Sequence, residues 1–323
     1  MGSMKEALSS KRGTFLATVR SNERVCDAHY RMVLELEHFP ATRAGQFVQI
    51  LCRPPENQPS HRSVEWREGE PPALSQPEMK GQPPMLRRPL SLAGRRDSSE
   101  GTVELDLIYR TVGTGTHWLA TVRAGEVVSV LGPLGNHFTV DGSRPMAALV
   151  GGGVGIPPML YLAETLAASG RKTVAFAGVR SAPLFPLRLL SSEEVSAQGK
   201  PSRCVMEFDA FGVDTGISTD DGSMGAPGTV SGPLTKWLDD LDDADAKVVV
   251  YACGPEPMMR AVGEICDRRG VPCQLSLERH MACGMGTCQS CICKIRAANE
   301  QGWEFRLCCK DGPVFDASDV IWD

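Results

Sequence analysis

Four of the chain's twelve cysteines follow a spacing that is typical of a metal cluster. Three form a C-x4-C-x2-C run and one follows after a longer gap: Cys283, Cys288, Cys291 and Cys309. This is the spacing with which thiolates hold a 2Fe–2S cluster, in which each of two irons needs two thiolates. Gly284 and Gly286 lie inside the run, where a residue without a side chain lets the backbone wrap closely around a bound group. A zinc site and a set of buried free thiols are the alternatives.

The fourth cysteine of the pattern has a neighbour that could replace it, because Cys308 and Cys309 are adjacent. On an extended strand, successive side chains point to opposite faces, so only one of the two can reach an iron. Cys293, two residues after Cys291, is expected to be a packed thiol.

Two segments suit the pyrophosphate of a dinucleotide such as FAD. The first reads Arg88-Pro89-Leu90-Ser91, in which an arginine held by the following proline offers a bidentate charged donor. The second ends at the start of a predicted helix, whose free N–H groups suit the same anion. Its residues are Ile108, Tyr109, Arg110, Gly113, Gly115 and Thr116. Taken singly, a surface charge and an ordinary turn are the plain alternatives.

A glycine-rich turn and a later Cys-Gly-Pro turn each follow a predicted strand, and both suit a nucleotide. Glycines let a backbone approach a pyrophosphate, and a proline in the first turn starts the helix beneath it. Ligands of open α/β sheets bind at the carboxyl ends of the strands, where both turns fall. The expected binding residues are Gly151, Gly152, Gly153, Gly155, Cys253, Gly254 and Pro255. The plain alternative for Cys253 is a small buried hydrophobe.

The elements that carry these residues divide the chain into three predicted domains. Short β-branched and apolar runs predict an antiparallel β-barrel over 1–142, with strands at 14–20, 30–36, 46–52, 90–93, 103–109 and 127–131 and a helix at 113–124. A Pro-rich stretch at 54–86 is predicted to be an insertion between two barrel strands, since proline suits neither a sheet interior nor a helix interior.

Alternating strands and helices predict a doubly wound, mostly parallel α/β domain over 143–275. Strands are expected at 146–150, 173–177, 204–208, 248–251 and 274–277, and helices at 157–168, 187–197, 234–240 and 256–269. The cysteine run defines a third domain at 276–323.

Composition limits the function classes further. A formal net charge of -5 over 323 residues argues against a nucleic-acid or anionic-membrane surface. Twelve cysteines with no signal peptide and no long apolar run predict a cytoplasmic protein rather than a disulfide-bonded one.

The order of barrel, nucleotide domain and cysteine loop resembles the electron-transfer subunit of the heteromeric, NAD-dependent dihydroorotate dehydrogenases, in the ferredoxin reductase superfamily. Three runs carry the likeness: STDDGS at 218–223, ERHMACG at 278–284 and CKDGPVF at 309–315. The likeness extends from about residue 14 to residue 315. Three features depart from the pattern: Leu90 where an aromatic residue is frequent, the Pro-rich insertion, and a longer gap before the last cysteine.

The resemblance implies a multidomain fold with a flavin-binding barrel for FAD, an NAD(H)-binding α/β domain and a plant-type 2Fe–2S domain. It implies Cys309 as the fourth ligand, because Cys309 opens the matching run, and Cys253 beside the nicotinamide as the catalytic residue. Arg180 follows the second α/β strand and could meet the 2′-phosphate of NADPH, but the resemblance implies NADH.

The resemblance also implies a partner. An FMN-containing subunit would oxidise dihydroorotate to orotate in pyrimidine biosynthesis, in a heterotetramer of two subunits each, with no nucleic acid and no membrane. An NAD(P)H–ferredoxin oxidoreductase or a diaphorase subunit of another electron-transfer complex would share the same cofactor motifs and remains the alternative.

Overall fold

A computed structural model of the chain describes residues 12–55, 64–65, 73–74, 86–99, 101–140, 142–241 and 247–322. Most of the Pro-rich insertion predicted at 54–86 lies outside these residues. Within the described residues, no helix is long and apolar enough to cross a membrane.

The N-terminal part of the chain is a closed antiparallel barrel, which confirms the predicted architecture. Its strands run in the order β1-β2-β7-β6-β3-β8. Their bounds are β1 Gly13–Cys26, β2 His29–Leu36, β3 Phe47–Ile50, β6 Arg88–Asp97, β7 Val103–Arg110 and β8 Val127–Leu134, with a separate two-stranded pair of β4 Val64–Glu65 and β5 Ala73–Leu74. Alternation along β2 turns Met32, Leu34 and Leu36 into the barrel, where they are fully buried. A short helix, α1 Thr114–Leu119, follows β7.

The second part is an α/β domain built on a mostly parallel sheet, as predicted. Its strands are β9 Met146–Gly152, β10 Lys172–Val179, β11 Asp214–Thr219, β12 Ala226–Pro227, β13 Val248–Cys253 and β14 Cys273–Ser276. Its helices are α2 Ile156–Ala168, α3 Met206–Asp209, α4 Ser231–Asp239 and α5 Glu256–Arg268, and 3₁₀ turns lie at Gly153–Gly155 and Ala182–Leu184. Every residue of β9 and β13 is buried, as expected for central strands covered on both faces.

The C-terminal segment contributes to two sheets. Its strands are β15 Ile292–Arg296, β16 Trp303–Leu307, β17 Val314–Asp316 and β18 Val320–Ile321. Strands β15, β16 and β18 form a small antiparallel sheet, whereas β17 pairs antiparallel with β14 and completes the order β12-β11-β10-β9-β13-β14-β17. The segment after the cysteine run is therefore joined to the nucleotide domain by main-chain hydrogen bonds.

Two predicted elements of the α/β domain are wrong. Residues 187–197 form turns rather than a helix, and residues 204–208 hold only an isolated bridge and the start of α3 rather than a strand. The third strand of the sheet is β11, which the prediction missed. A short apolar run does not distinguish a strand from a buried helical turn. Cys204, Val205 and Phe208 form such a run, and all three are buried.

A network of charges around two buried carboxylates joins the barrel to the α/β domain. Arg31 on β2 donates from Nε to Asp106 on β7 at 3.0 Å and from Nη1 to Glu207 on α3 at 3.4 Å. Arg188 donates from Nε to the same Glu207 oxygen at 3.0 Å. Both carboxylates are buried, and pairing is what makes a buried charge tolerable.

Candidate cofactor sites

A cleft of about 750 Å³ lies where the barrel, the carboxyl edge of the parallel sheet and the segment before the cysteine run meet. Many of the residues predicted to bind FAD or NAD(H) line it: Arg88, Pro89, Leu90, Ser91, Ile108, Tyr109, Arg110, Thr116, Gly152, Gly153, Cys253 and Pro255. The remaining predicted glycines do not line the cleft themselves, although each is next in sequence or close to a residue that does: Gly113, Gly115, Gly151, Gly155 and Gly254. The cleft continues along residues 276–281, which lead directly into the cysteine run.

Arg88 and Gly115 are packed against each other on the barrel wall. A methyl group placed on Gly115 would lie 2.8 Å from Arg88 Nε and 3.1 Å from its Cζ. Arg88 Nη1 donates to the backbone oxygen of Leu86 at 2.8 Å, which fixes one side of the guanidinium. The absence of a side chain at residue 115 therefore lets the arginine lie against α1, where its remaining donors can serve an anion.

The hydroxyl of Thr116 is used within the protein. It accepts from the backbone N–H groups of Val112 at 2.9 Å and Gly113 at 3.2 Å, and it donates to the Gly113 oxygen at 3.1 Å. The first N–H groups of a helix have no intrahelical acceptor. Thr116 thus shapes the turn before α1, and its hydroxyl is already engaged within the protein.

Tyr109 borders the cleft although its side chain is directed away from solvent. Its ring stacks on Tyr30 at 5.7 Å between centroids, and its hydroxyl donates to Asn22 Oδ1 at 3.0 Å. Burial raises the pKa of Tyr109 well above its ordinary value. Ile108 and Arg110 lie on the other face of β7, so they are the side chains of this strand that can contact a ligand.

The glycine-rich turn after β9 and the Cys-Gly-Pro turn after β13 touch each other. A methyl group on Gly155 would lie 2.1 Å from the Cys253 backbone oxygen, and one on Gly152 would lie 2.5 Å from Met258 Sδ. Gly155 therefore requires glycine, because backbone blocks any side chain there, whereas a side chain on Gly152 would have to displace Met258. Pro157 lies in the first turn of α2, where a backbone N–H would have no intrahelical acceptor. Proline suits this position because it has no N–H.

Cys253 ends β13 and is almost completely buried beside the cleft. Burial, reinforced by the negative charge of Glu278, raises the pKa of its thiol well above the ordinary value. The thiol is therefore neutral near pH 7, and it suits packing against an apolar ring better than it suits nucleophilic attack.

Three further cleft residues were not singled out from the sequence as binding residues. Asp220 follows β11 beside Arg180, which follows β10, because Val179 and Thr219 are paired in the sheet. His29 has its Nδ1 2.8 Å from the Asp27 oxygen, whereas its buried Nε2 has no partner among the described residues. Glu278 opens the run before the cysteines, and burial raises the pKa of its carboxyl. Asp220 and Glu278 fall within runs that carry the family likeness, but only tertiary contacts place all three residues in the cleft.

The four predicted cluster cysteines form two pairs. Within the part of the chain that the structure describes, no three potential ligands converge as they would on a single ion. The backbone N–H of Cys288 lies 3.4 Å from Cys283 Sγ, and that of Cys309 lies 3.4 Å from Cys291 Sγ. Two pairs of thiols fit a cluster in which each of two irons takes two thiolates.

The electrostatic environment differs between these pairs. Hydrogen bonding from Ser290, with contributions from Cys283, lowers the pKa of the exposed Cys288 thiol to about 6. Burial, together with contact with Cys291, raises the pKa of the Cys309 thiol to about 12. The positive charge of a coordinated metal would be needed to keep the Cys309 thiol deprotonated.

Cys308 points away from this group. Its thiol donates to the Leu277 oxygen at 3.2 Å in the core, and its backbone N–H donates to the Cys291 oxygen at 2.9 Å. Cys308 and Cys309 lie in the turn after β16 rather than on an extended strand, and their thiols have different neighbours, Leu277 and Cys291. Cys293 is buried on β15 and its thiol donates to the Arg306 oxygen at 3.4 Å.

Asn136 fastens the segment after Cys309 to the end of the barrel. Its Nδ2 donates to the backbone oxygens of Asp311 at 3.0 Å and Val314 at 2.8 Å, while its Oδ1 accepts from the Val314 N–H at 2.9 Å. Its own N–H donates to the Gly312 oxygen at 2.6 Å. We refer to these four hydrogen bonds as the Asn136 clamp.

Comparison with known proteins agrees with this architecture. Residues 149–264 match the family model of the oxidoreductase NAD-binding domain, and residues 278–321 match the iron-sulfur cluster binding domain of dihydroorotate dehydrogenase B. A solved structure of an NADH-dependent reduced ferredoxin-NADP oxidoreductase, 23% identical, aligns with a TM-score of 0.66 over 96% of this chain and 91% of that one, which shows a shared fold.

Two relatives carry the same name, "Dihydroorotate dehydrogenase B (NAD(+)), electron transfer subunit". The one from Bacillus caldolyticus is 40% identical over 74% of this chain and 81% of its own length. The one from Caldanaerobacter subterraneus subsp. tengcongensis is 31% identical over 95% of this chain and 98% of its own length. The chain therefore belongs to the family of the electron transfer subunits of NAD-dependent dihydroorotate dehydrogenase B.

Proposed function

We propose that this chain transfers electrons between NAD(H), a bound FAD and a 2Fe–2S cluster, and that it serves a partner subunit that carries FMN and oxidises dihydroorotate to orotate. The observation that carries the proposal is the continuity of the cleft, which runs from the Arg88 wall past Cys253 to the start of the cysteine run. When bound, a nicotinamide exchanges electron pairs with a flavin, whereas a 2Fe–2S cluster passes single electrons.

The residues of the chain would bind and orient these groups. Arg88 and the first turn of α1 suit the FAD pyrophosphate, and the paired glycine turns suit that of NAD(H). Cys253, neutral and buried, would pack against the nicotinamide as the expected catalytic residue. Cys283 and Cys288 would hold one iron, and Cys291 and Cys309 the other.

The cysteine domain presents an apolar surface that suits the partner subunit. Met285, Ile292 and Phe305 are 50%, 43% and 59% exposed, and we refer to these three residues as the cluster-side surface. Ile292 and Phe305 lie on one face of the small sheet, because Lys294 pairs with Phe305 across the strands. Exposed aromatic and methionine side chains next to a redox group are typical of a docking site, where the acceptor must come close.

We expect the isolated chain to reduce artificial dyes with NADH but not to oxidise dihydroorotate. Adding the FMN-containing subunit from the same source should give NAD-linked dihydroorotate oxidation, measured as NADH formation at 340 nm. We propose that the assembled complex contains two copies of each subunit, which sedimentation velocity would test. If the two subunits do not associate, or if the mixture shows no activity with all cofactors loaded, the proposed function is wrong. The chain would then be assigned as a subunit of another electron-transfer complex.

The cluster-side surface provides a sharper form of this test. Phe305→Ser should weaken association with the partner by about tenfold or more, since we expect Phe305 to be one of the minority of interface residues whose truncation costs more than ~1 kcal/mol. Leu16→Ser is the matched control, because Leu16 is 65% exposed on β1 of the barrel, outside the cluster-side surface. Equal affinities for the two variants would contradict the proposed docking face.

We also propose that NADH is preferred over NADPH. Asp220 lies in the cleft beside Arg180, and its negative charge would repel a 2′-phosphate there. The preference is the ratio of the flavin reduction rates with NADH and with NADPH in stopped flow. Asp220→Asn should lower this ratio by about tenfold, equivalent to ~1.4 kcal/mol. Asp221→Asn serves as the control, because Asp221 accepts hydrogen bonds from Ser223 instead of lining the cleft. A faster reaction of the unmodified protein with NADPH would overturn this preference.

We further place the protein in the cytoplasm. None of the twelve cysteines forms a disulfide, which suits a reducing compartment.

A further inference from the structure

Gln49 is a fully buried glutamine whose side-chain amide is left unsatisfied by the residues that the structure describes. It lies on β3, its exposed fraction is 0%, and neither Nε2 nor Oε1 has a hydrogen-bond partner among the residues that the structure describes. A buried amide without partners is costly, because it has lost its hydrogen bonds to water. Such a group therefore calls for a specific explanation.

The position of Gln49 places this amide between the cleft and the cysteine run. Gln49 shares a face of β3 with Phe47, which lines the cleft, and it is paired across the sheet with Pro89, another cleft residue. Its side chain ends against Gly284, the residue after Cys283. A methyl group on Gly284 would lie 2.6 Å from Gln49 Cδ and 2.8 Å from Nε2.

Gly284 meets two requirements at once. Its φ of +69° is a conformation that favours glycine, and the missing side chain leaves the space that the Gln49 amide occupies. The loop that carries Cys283 is thus shaped around a buried donor that belongs to the barrel.

We propose that Gln49 is a positioning residue that sets the reduction potential of the cluster by donating from Nε2 to a sulfur on the Cys283 side. This inference rests on the proposed cluster site, but not on the identity of the partner subunit. A hydrogen bond to a cluster sulfur stabilises the more negative, reduced state, and such bonds are among the factors that set cluster potentials. The donor therefore raises the potential and favours transfer of an electron from the flavin side.

The test is an electron paramagnetic resonance redox titration of the cofactor-loaded protein. Gln49→Met fills a similar volume without a donor, and Gln49→Glu keeps the shape but replaces the NH₂ group with an acceptor. We expect both variants to disfavour cluster reduction by about tenfold in the equilibrium constant, which is about 59 mV for one electron. Flavin reduction by NADH should be unchanged, because Gln49 does not line the cleft.

The control is Gln274→Met on β14. The amide of Gln274 already donates to the Thr139 oxygen at 3.0 Å and accepts from the Thr139 N–H at 2.9 Å, so its loss should leave the cluster potential unchanged. An unchanged potential in a fully loaded Gln49→Met or Gln49→Glu protein would overturn this inference alone. If neither variant folds, the unmodified protein can be transferred to D₂O, which replaces its exchangeable hydrogens by deuterium. An electron paramagnetic resonance signal of the cluster that does not change on this transfer would overturn the inference. Absence of any 2Fe–2S signal from the unmodified protein would overturn both this inference and the proposed function.

Discussion

Cys309→Ser protein is expected to lose its 2Fe–2S cluster, whereas Cys308→Ser protein is expected to keep it. The Cys309 N–H and thiol meet Cys291, while the Cys308 thiol donates to the Leu277 oxygen in the core. Removing a direct ligand should weaken cluster binding by more than the roughly 10- to 100-fold that outer-shell substitutions cause. The measurements are the reduced-state electron paramagnetic resonance signal and the iron and acid-labile sulfide content.

The adjacent cysteine provides the matched control for this experiment. Both residues are buried and both changes replace sulfur with oxygen, so a general loss of packing would affect the two variants alike. Loss of the cluster from Cys308→Ser with retention in Cys309→Ser would exchange their assignments. Loss from both would indicate that the loop tolerates no polar replacement at this turn.

Arg88→Ala is expected to purify largely without flavin. A charge-assisted hydrogen bond contributes roughly 1.5–3 kcal/mol, which corresponds to about a 10- to 100-fold weaker FAD affinity. The ratio of flavin to protein absorbance after purification, followed by titration with FAD, measures the effect. Arg88→Lys should bind FAD with intermediate affinity, because it keeps the charge but loses the planar fork. A fully yellow Arg88→Ala protein would contradict the assignment.

Two glycines of the same segment test whether the position of Arg88 matters as well as its charge. Gly115→Ala should also lower flavin content, because the added methyl group would displace the Arg88 guanidinium. Gly113→Ala is the control, because Gly113, although predicted from the sequence to bind FAD, does not line the cleft. No heavy atom of the described residues lies within 4 Å of the added group, and its φ of -164° is ordinary extended backbone. Equal flavin content in the two variants would indicate that Arg88 can move without loss of binding.

The cofactor motifs could be predicted because their chemistry is local in sequence. A C-x4-C-x2-C run and a glycine-rich turn after a strand each place several groups within one short segment. The same locality explains the correct prediction of the barrel strands, where alternating residues indicate one buried face.

The remaining features depend on contacts between distant segments. Gln49 meets Gly284, and Asn136 meets the backbone that follows Cys309, although nothing in either local run indicates a partner. The missed strand β11 belongs to the same class, because its residues suit a strand only once they lie beside β10. Local composition was therefore informative about which groups bind, and uninformative about how the cofactor sites are held together.

The Asn136 clamp limits how this protein can deliver electrons. Some electron-transfer domains are mobile on a flexible linker, so that they accept an electron at one site and donate it at another. Here the backbone next to Cys309 is fastened to the barrel by four hydrogen bonds, and β17 continues from it into the nucleotide sheet. The segment after Cys309 is therefore held against both the barrel and the nucleotide sheet, so we expect a partner to come to the cysteine loop rather than the loop to move to the partner.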